Sequence, residues 1–509
     1  MRFLPFMIIL TVAIVVRLPI LDVPFERDEG EFAYVGNLIL SDVTPYSFEG
    51  NLKLPGAYYY FALMIFIFGS SVSGIHMGLI IANFISACFI YLIAKKAYED
   101  SRMYTILAAV LYLIMATHHA VLGFAMHATQ VLAPFLVGSV FFLICFFDKK
   151  KYVWLIISGV LFSAAIIVKQ PALLAGIIYL PLIGKDFTKS FKRVSSLAIG
   201  VAIPFIVILI PIFLSGAFDN FVRWIFVYAP QYAATEQDGN SWWDFLQKCY
   251  NSIGVFWPVW LTALLGTTLM SETFRKYDVL IFFMIGSLLC MVPGFFFRPH
   301  YFVFALPAIS ITSIYVLYSI DFASKRFSLI LVVLFLAIGS KSIFYNYSHS
   351  NFEIMRFAYG IDPFYESPQI SDFIKQNTSE DDRLFIFGNE PQLYFYSDRR
   401  SASEFIYTYP LVENQSLNVE MQQRMISQVD SLKPKMIIVT HEESWQVNEH
   451  TPMLMFDWID SLVNTNYQEI GMMENYMQAH ATFSWDPSSQ NTAKPSPDAI
   501  LRFYIRKPD

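Results

Sequence analysis

PGAYYYFALMIFIFG, residues 55–69, decides how this chain is threaded. The stretch is apolar enough to enter lipid, but it is only 15 residues long. A helix needs about 20 residues to cross the hydrocarbon core. Counted as a span, it inverts every loop that follows. Left out, it becomes a helix lying in the outer interface or dipping into the outer leaflet, and the rest of the sequence falls into a consistent order.

Eleven other segments read as spans: 3–22, 75–94, 103–121, 128–147, 152–168, 172–184, 195–214, 252–270, 278–297, 301–320 and 327–344. The segment 172–184 is the shortest. The N-terminal run is followed by LPILDVPFERD, which lacks a small-residue cleavage site, so it is expected to stay as a helix. Basic residues then set the orientation. Lys95, Lys96 and Arg102 follow the second span, and Lys149, Lys150 and Lys151 follow the fourth. Lys185, Lys189, Lys192 and Arg193 follow the sixth, Arg275 and Lys276 the eighth, and Lys325 and Arg326 the tenth. With the N-terminus inside, all of these loops are cytoplasmic. Residues 23–74, the 118–127 turn, the 215–250 loop and everything after residue 345 are then outside.

Composition agrees with this division. The chain of 509 residues is 55% hydrophobic and only 15% charged, against about 25% charged in a soluble domain. The deficit lies in 1–345, and 346–509 has an ordinary soluble composition. The net charge of −6 is split across a membrane, and no basic stripe points to nucleic acid. None of the four cysteines lies in 346–509, so no disulfide framework is implied there. In that tail, 382–388, 435–440 and 501–507 read as strands, and 367–378 and 420–432 as helices. The expected fold is a multi-pass α-helical membrane domain, 1–345, with a first outer loop at 23–74. A soluble α/β domain of 346–509 follows it.

Charged groups collect on the outer side. In FERDEGEFAYVGNLI, residues 25–39, five of the six residues from Glu26 to Glu31 are charged. Asp28 would N-cap a helix starting at Glu29, with Glu31 closing a capping box, and Phe32, Val35 and Ile39 would lay that helix on the membrane. A cap uses one or two carboxylates and leaves the rest of the cluster unexplained. Asp28 and Glu29 are therefore the candidate catalytic groups, with Glu31 beside them. Lys53 is either a headgroup anchor or an ammonium gripping a lipid-linked phosphate, with Pro55 and Gly56 bringing the backbone close to that phosphate. His118, His119 and His127, with Gln130, cluster around the outer turn of the third and fourth spans. They suit phosphate, sugar or metal, although their spacing matches no zinc motif. Lys169 ends the fifth span, and Arg298 and His300 end the ninth; snorkelling to headgroups competes with a role in a site. Arg223, Glu236 and Asp238 are weaker candidates in a solvated loop. The Tyr-rich stretch 389–410 either contacts a sugar or partner or simply packs.

A carboxylate base facing several cations on one side of a membrane suits transfer from a glycosyl phosphate. The phosphate leaves readily and needs positive charge. Glycoside hydrolysis would also need an acid at the leaving oxygen.

The chain resembles the polyprenyl-phosphate-sugar-dependent glycosyltransferases of the GT-C superfamily, which include protein O-mannosyltransferases, the lipid A aminoarabinose transferase and bacterial family-39-like enzymes. The resemblance covers roughly 1–345 and rests on DEGEFAYVGNLI, LKLPGAYYYFAL and VKQPALL. It implies an inverting transferase acting on an outer-leaflet polyprenyl-phosphate sugar. Asp28 takes the family's catalytic acidic position, with Glu29 adjacent, and Lys53 takes that of the lysine meeting the lipid phosphate. His127 stands where the family commonly has an Asp, and Gly56 replaces a second proline. With the residue reading above, the expected donor-phosphate set is Lys53, His127, Lys169, Arg298 and His300. A divalent metal is left open. The expected partners are the polyprenyl-phosphate sugar, membrane lipid, and an acceptor that is lipid, glycan (lipopolysaccharide included) or protein. The expected location is a bacterial cytoplasmic (inner) membrane, with site and tail on the periplasmic side. A transporter or flippase for polyprenyl-linked sugars would instead show repeat symmetry and midplane charges. A non-catalytic envelope scaffold would not depend on Asp28 or Lys53.

Overall fold

The computed structural model describes the chain except residues 1–2, 49–50, 99–100, 235–241, 274–277, 442–446, 448–449, 478, 485–498 and 509. Glu236, Asp238, Arg275 and Lys276 therefore lie outside the described residues.

Among the described residues, six helices are long and apolar enough to cross a membrane: Val72–Ala97, Ala128–Lys149, Phe187–Leu214, Phe245–Met270, Leu306–Ala323 and Lys325–Ser348. Five expected spans fall on shorter apolar helices: Leu4–Ile20, Arg102–Ala116, Val153–Val168, Gln170–Leu182 and Asp278–Leu289. Local chemistry explains why some stop early. At the end of Arg102–Ala116, the Thr117 hydroxyl donates back to the carbonyls of Leu113 and Ile114, and a 3₁₀ turn follows at His119–Val121. After Asp278–Leu289, Pro293 and Gly294 interrupt the helical ladder. The chain then runs through a second 3₁₀ turn, Pro299–Phe304, before Leu306–Ala323 begins. These irregular stretches carry His127, Arg298 and His300 into the site.

Among the described residues, side-chain contacts join three of the basic loops. Lys96 pairs with Asp148 at 2.7 Å, joining two of them. Tyr98 stacks on Tyr318, and Tyr104 shares a 2.7 Å hydrogen bond with Ser328, joining a third.

Residues 55–69 form a helix, Gly56–Phe68, of 13 residues, about 20 Å long, one of the shorter apolar helices. One flank is buried, while Phe66, Ile67 and Phe68 are exposed, an apolar surface that suits lipid. The preceding helix, Arg27–Leu40, corrects the amphipathic expectation. It does not lie on the membrane, because it is covered on two sides. Phe32 packs on Phe61 and Tyr58 of the short helix, and burying such a side chain contributes about 1.5–3 kcal/mol. On another side the tail closes over it: Tyr34 stacks near Tyr394, and a Cβ on Gly30 would lie 2.4 Å from the Gln392 Cα.

The tail contains a six-stranded sheet, in the order β2-β1-β3-β6-β4-β5. The strands are β1 Arg383–Phe387, β2 Arg400–Ser401, β3 Met436–His441, β4 Tyr467–Tyr476, β5 Ala479–Ser484 and β6 Ala499–Arg506. β1 runs parallel to β2 and β3, and the remaining pairs are antiparallel. Parallel neighbours need a crossover, and the helix Asn418–Leu432 supplies it between β1 and β3. The helix Ser367–Asn377 matches its expected place.

Candidate functional site

Glu26, not Asp28, caps the helix that carries the carboxylates. Its extended backbone and side chain fit the cap position, and its Oε1 accepts from the Glu29 N–H at 2.9 Å. The helix therefore starts at Arg27, two residues earlier than the capping-box reading, and Asp28 is released from capping. Asp28 and Glu29 sit in the first turn, where the helix dipole favours negative charge.

The three helical carboxylates have different surroundings. Asp28 is half-buried and lines a cavity of about 420 Å³. Glu29 is buried and bridges His76 Nε2 at 2.8 Å and the Met126 N–H at 2.6 Å. Glu31 is fully buried and accepts from Asn51 at 2.6 Å, Tyr407 at 2.6 Å, Tyr58 and Lys53. The Lys53 ammonium also donates to Asp28 Oδ1 at 2.7 Å. Thus Glu31 positions Lys53, Glu29 holds the 118–127 turn, and Asp28 faces the open space.

Pro55 and Gly56 act differently from the expectation. The close approach of Gly56 is to protein: a Cβ there would lie 2.7 Å from the Val168 N. Gln170 Nε2 also donates to the Leu52 carbonyl at 2.7 Å. These contacts bring Lys53 and Lys169 to one wall. Lys169 lies 4.7 Å from the Tyr301 ring centroid, and no hydrogen bond or ion pair engages it among the described residues. Arg298 donates to the Tyr232 hydroxyl at 3.2 Å. His300 stacks on His127 with centroids 4.2 Å apart.

Charge orders this wall. Burial would raise the Asp28 carboxyl, but the Lys53 ammonium and His127 outweigh it and hold it well below the usual range. Burial pushes Glu26 up. Burial would lower His127, yet the Glu26 and Asp28 charges raise it. Burial, with His127 and Lys169 nearby, keeps His300 neutral. Burial also brings Lys169 down to about 8, helped by Lys53 and Arg298. Asp28, His127 and His300 place one ligand atom each within 4.8 Å of one another. Both imidazole Nδ1 atoms are buried without a hydrogen-bond partner among the described residues. Two imidazoles and a carboxylate fit a divalent ion.

Not every candidate reaches the cavity. His118 and His119 stack on each other at 4.1 Å, and His119 stacks on Tyr345 at 4.3 Å, outside it. Gln130 donates to the Ala116 carbonyl at 2.8 Å inside the bundle. Arg223 pairs with Glu420 away from the site. Conversely, Arg27, Tyr232, Tyr301, Asn389, Tyr407, Tyr409 and Glu413 line the cavity and had no individual assignment. The last four come from the tail, and three of them fall in the Tyr-rich stretch 389–410.

Residues 53–213 match the family described as dolichyl-phosphate-mannose-protein mannosyltransferase. ArnT from Cupriavidus metallidurans in the apo state aligns over 98% of this chain and 97% of its own, at 14% identity and a TM-score of 0.58. ArnT bound to undecaprenyl phosphate gives 13% identity and a TM-score of 0.59 over the same shares of the two chains, 98% and 97%. The chain has the GT-C fold. A further GT-C structure, archaeal oligosaccharyltransferase AglB from Archaeoglobus fulgidus with an inhibitory peptide and a dolichol-phosphate, aligns over 96% of this chain and 74% of its own. There the identity is 11% and the TM-score 0.50. No curated protein matches in sequence. Within this GT-C fold the family-matched segment begins at Lys53 and includes His127 and Lys169.

Proposed function

We propose that this chain is an integral-membrane inverting glycosyltransferase. It moves a sugar from a polyprenyl-phosphate donor to an acceptor hydroxyl at the outer face of a bacterial cytoplasmic membrane. The observation that carries this reading is one cavity holding an ionised carboxylate, Asp28, against Lys53, Lys169 and Arg298. The family match and the fold shared with ArnT bound to undecaprenyl phosphate support the donor class.

In this reading Lys169 and Arg298 hold the donor phosphate, and Lys53 fixes Asp28 beside it. The acceptor hydroxyl hydrogen-bonds to Asp28. Its oxygen forms the new bond to the anomeric carbon as the bond from that carbon to the phosphate oxygen breaks. The electron pair leaves with the phosphate, where the cations stabilise it, and the hydroxyl proton passes to Asp28. A carboxylate held this far below its usual range is a weak base, so proton transfer comes late, after the glycosyl bond has largely broken. Attack on the face opposite the phosphate inverts the anomeric centre. An ion on Asp28, His127 and His300 would add positive charge at the same wall. The outer-face assignment is supported by the basic residues of the alternate loops, which favour the cytoplasmic side.

The test uses purified protein, a panel of polyprenyl-phosphate sugars and an acceptor extract, and it follows release of free polyprenyl phosphate. Acceptor-dependent release by the wild type that Asp28→Asn abolishes supports the reading. Donor binding without release across the panel argues against it.

A further inference from the structure

Glu413 is the second carboxylate lining the cavity, and it comes from the tail. Its segment is built rather than loose. The Asn389 side-chain oxygen accepts from the Thr408 and Tyr409 N–H groups, each at 3.1 Å. Asn418 Nδ2 donates to the Glu413 carbonyl at 3.1 Å. The Glu413 side chain is almost wholly buried, and its Oε2 accepts from the Tyr228 hydroxyl at 2.6 Å. Among the described residues no cation lies within ion-pair distance of it. A buried carboxylate with one neutral donor is costly unless further donors reach it, and burial raises it to about 7.

Its distance from the phosphate wall is informative. Tyr228, which holds Glu413, and Tyr232, which holds Arg298, are four residues apart on one continuous helical segment. Their ring centroids lie 6.3 Å apart, comparable to the width of one sugar ring. Aromatic rings line this part of the cavity: Tyr232 is 6.3 Å from Tyr409 and 5.3 Å from Phe296, centroid to centroid. Aromatic rings accept the C–H face of a sugar, and a carboxylate accepts hydrogen bonds from its hydroxyls.

We infer that Glu413 hydrogen-bonds ring hydroxyls of the sugar carried by the donor phosphate and so sets which sugar is transferred. This rests on the glycosyltransferase reading above and assigns to the tail a specificity role within the same site. The hydroxyls donate to the Glu413 oxygens while the phosphate is held about one ring away at Arg298.

The test compares wild type, Glu413→Gln and Glu413→Asp on polyprenyl-phosphate sugars that differ by single epimerised or deoxygenated ring positions. A parallel series varies the acceptor, and sugar-free polyprenyl phosphate serves as a binding probe. The Gln variant keeps an acceptor for Tyr228 and so preserves the local fold. The expected result is a change of 10-fold or more in the ratio of kcat/KM between donors, with the probe binding as in wild type. A uniform fall across all donors, or a selectivity change confined to the acceptor series, would overturn the inference and leave the transferase reading standing. Wild-type protein that releases polyprenyl phosphate from no donor would overturn both.

Discussion

Lys53 and Asp28 meet at 2.7 Å, Nζ to Oδ1, and the same ammonium is hydrogen-bonded to fully buried Glu31. The lysine expected to grip a lipid phosphate is thus already shared between two carboxylates. Its main effect in this structure is to keep Asp28 ionised and fixed at the cavity wall. Asp28→Asn retains the shape but loses the charge and the proton acceptor. Turnover should fall about 100-fold or more, while the affinity for sugar-free polyprenyl phosphate stays within a few-fold of wild type. Release kinetics and a binding titration check this together. An Asn variant with wild-type turnover would remove Asp28 from the chemistry.

Lys169 offers a pH test. Burial lowers its pKa to about 8, below the usual range of lysine. Below that value the group is charged and attracts the donor phosphate; above it the group is neutral and the attraction is lost. Therefore kcat/KM, which reports the free enzyme, should fall as pH rises through about 8. Lys169→Arg keeps its charge throughout and should move that fall to higher pH. Lys169→Met should remove it and lower kcat/KM at neutral pH by about 100-fold. An alkaline limb unchanged in both variants would show that another group titrates there.

The sequence was legible where one physical signal dominated. Hydropathy located the apolar helices: six are long enough to cross a membrane, and five further expected spans, like 55–69, fall on shorter apolar helices. Strands β1, β3 and β6 are apolar runs and were readable. Strand β4, YQEIGMMENY, was missed because its register shifts between Glu469 and Gly471, which breaks the period-two pattern. In the site, Lys53, Lys169, Arg298 and His300 stood out because charge near lipid is costly. The separate duties of Asp28, Glu29 and Glu31 were hidden, since one helix turn presents them to three surroundings. Glu413 was hidden for another reason: a carboxylate in a soluble tail is ordinary until the fold buries it.

Glu29 should prove to be a positioning residue. Its carboxylate accepts from the Met126 N–H and contacts His76, both buried. Glu29→Ala leaves these groups without an acceptor, at a cost of about 1–3 kcal/mol. The expected outcome is a lower Tm in detergent with turnover per folded molecule reduced less than in Asp28→Asn. Loss of turnover equal to that of Asp28→Asn at unchanged Tm would assign the chemistry to Glu29 instead.

Gly56 tests how the two lysines are held together. A Cβ at this position would lie 2.7 Å from the Val168 N and 2.8 Å from the Ile167 carbonyl carbon. Both are backbone atoms within helix Val153–Val168 or at its end, and they cannot swing aside as a side-chain tip can. Gly56→Ala must therefore push helix Gly56–Phe68 away from Val153–Val168, which separates Lys53 from Lys169 across the cavity wall. Helix propensity acts in the opposite direction but by less than the interior difference of about 1 kcal/mol between Ala and Gly, since Gly56 is the first residue of its helix. If local propensity governed, the variant would be more stable and fully active. If the close approach governs, donor affinity should fall by about 10-fold or more even where Tm is little changed. A Gly56→Ala enzyme with wild-type donor affinity would show that the two lysines do not need this spacing.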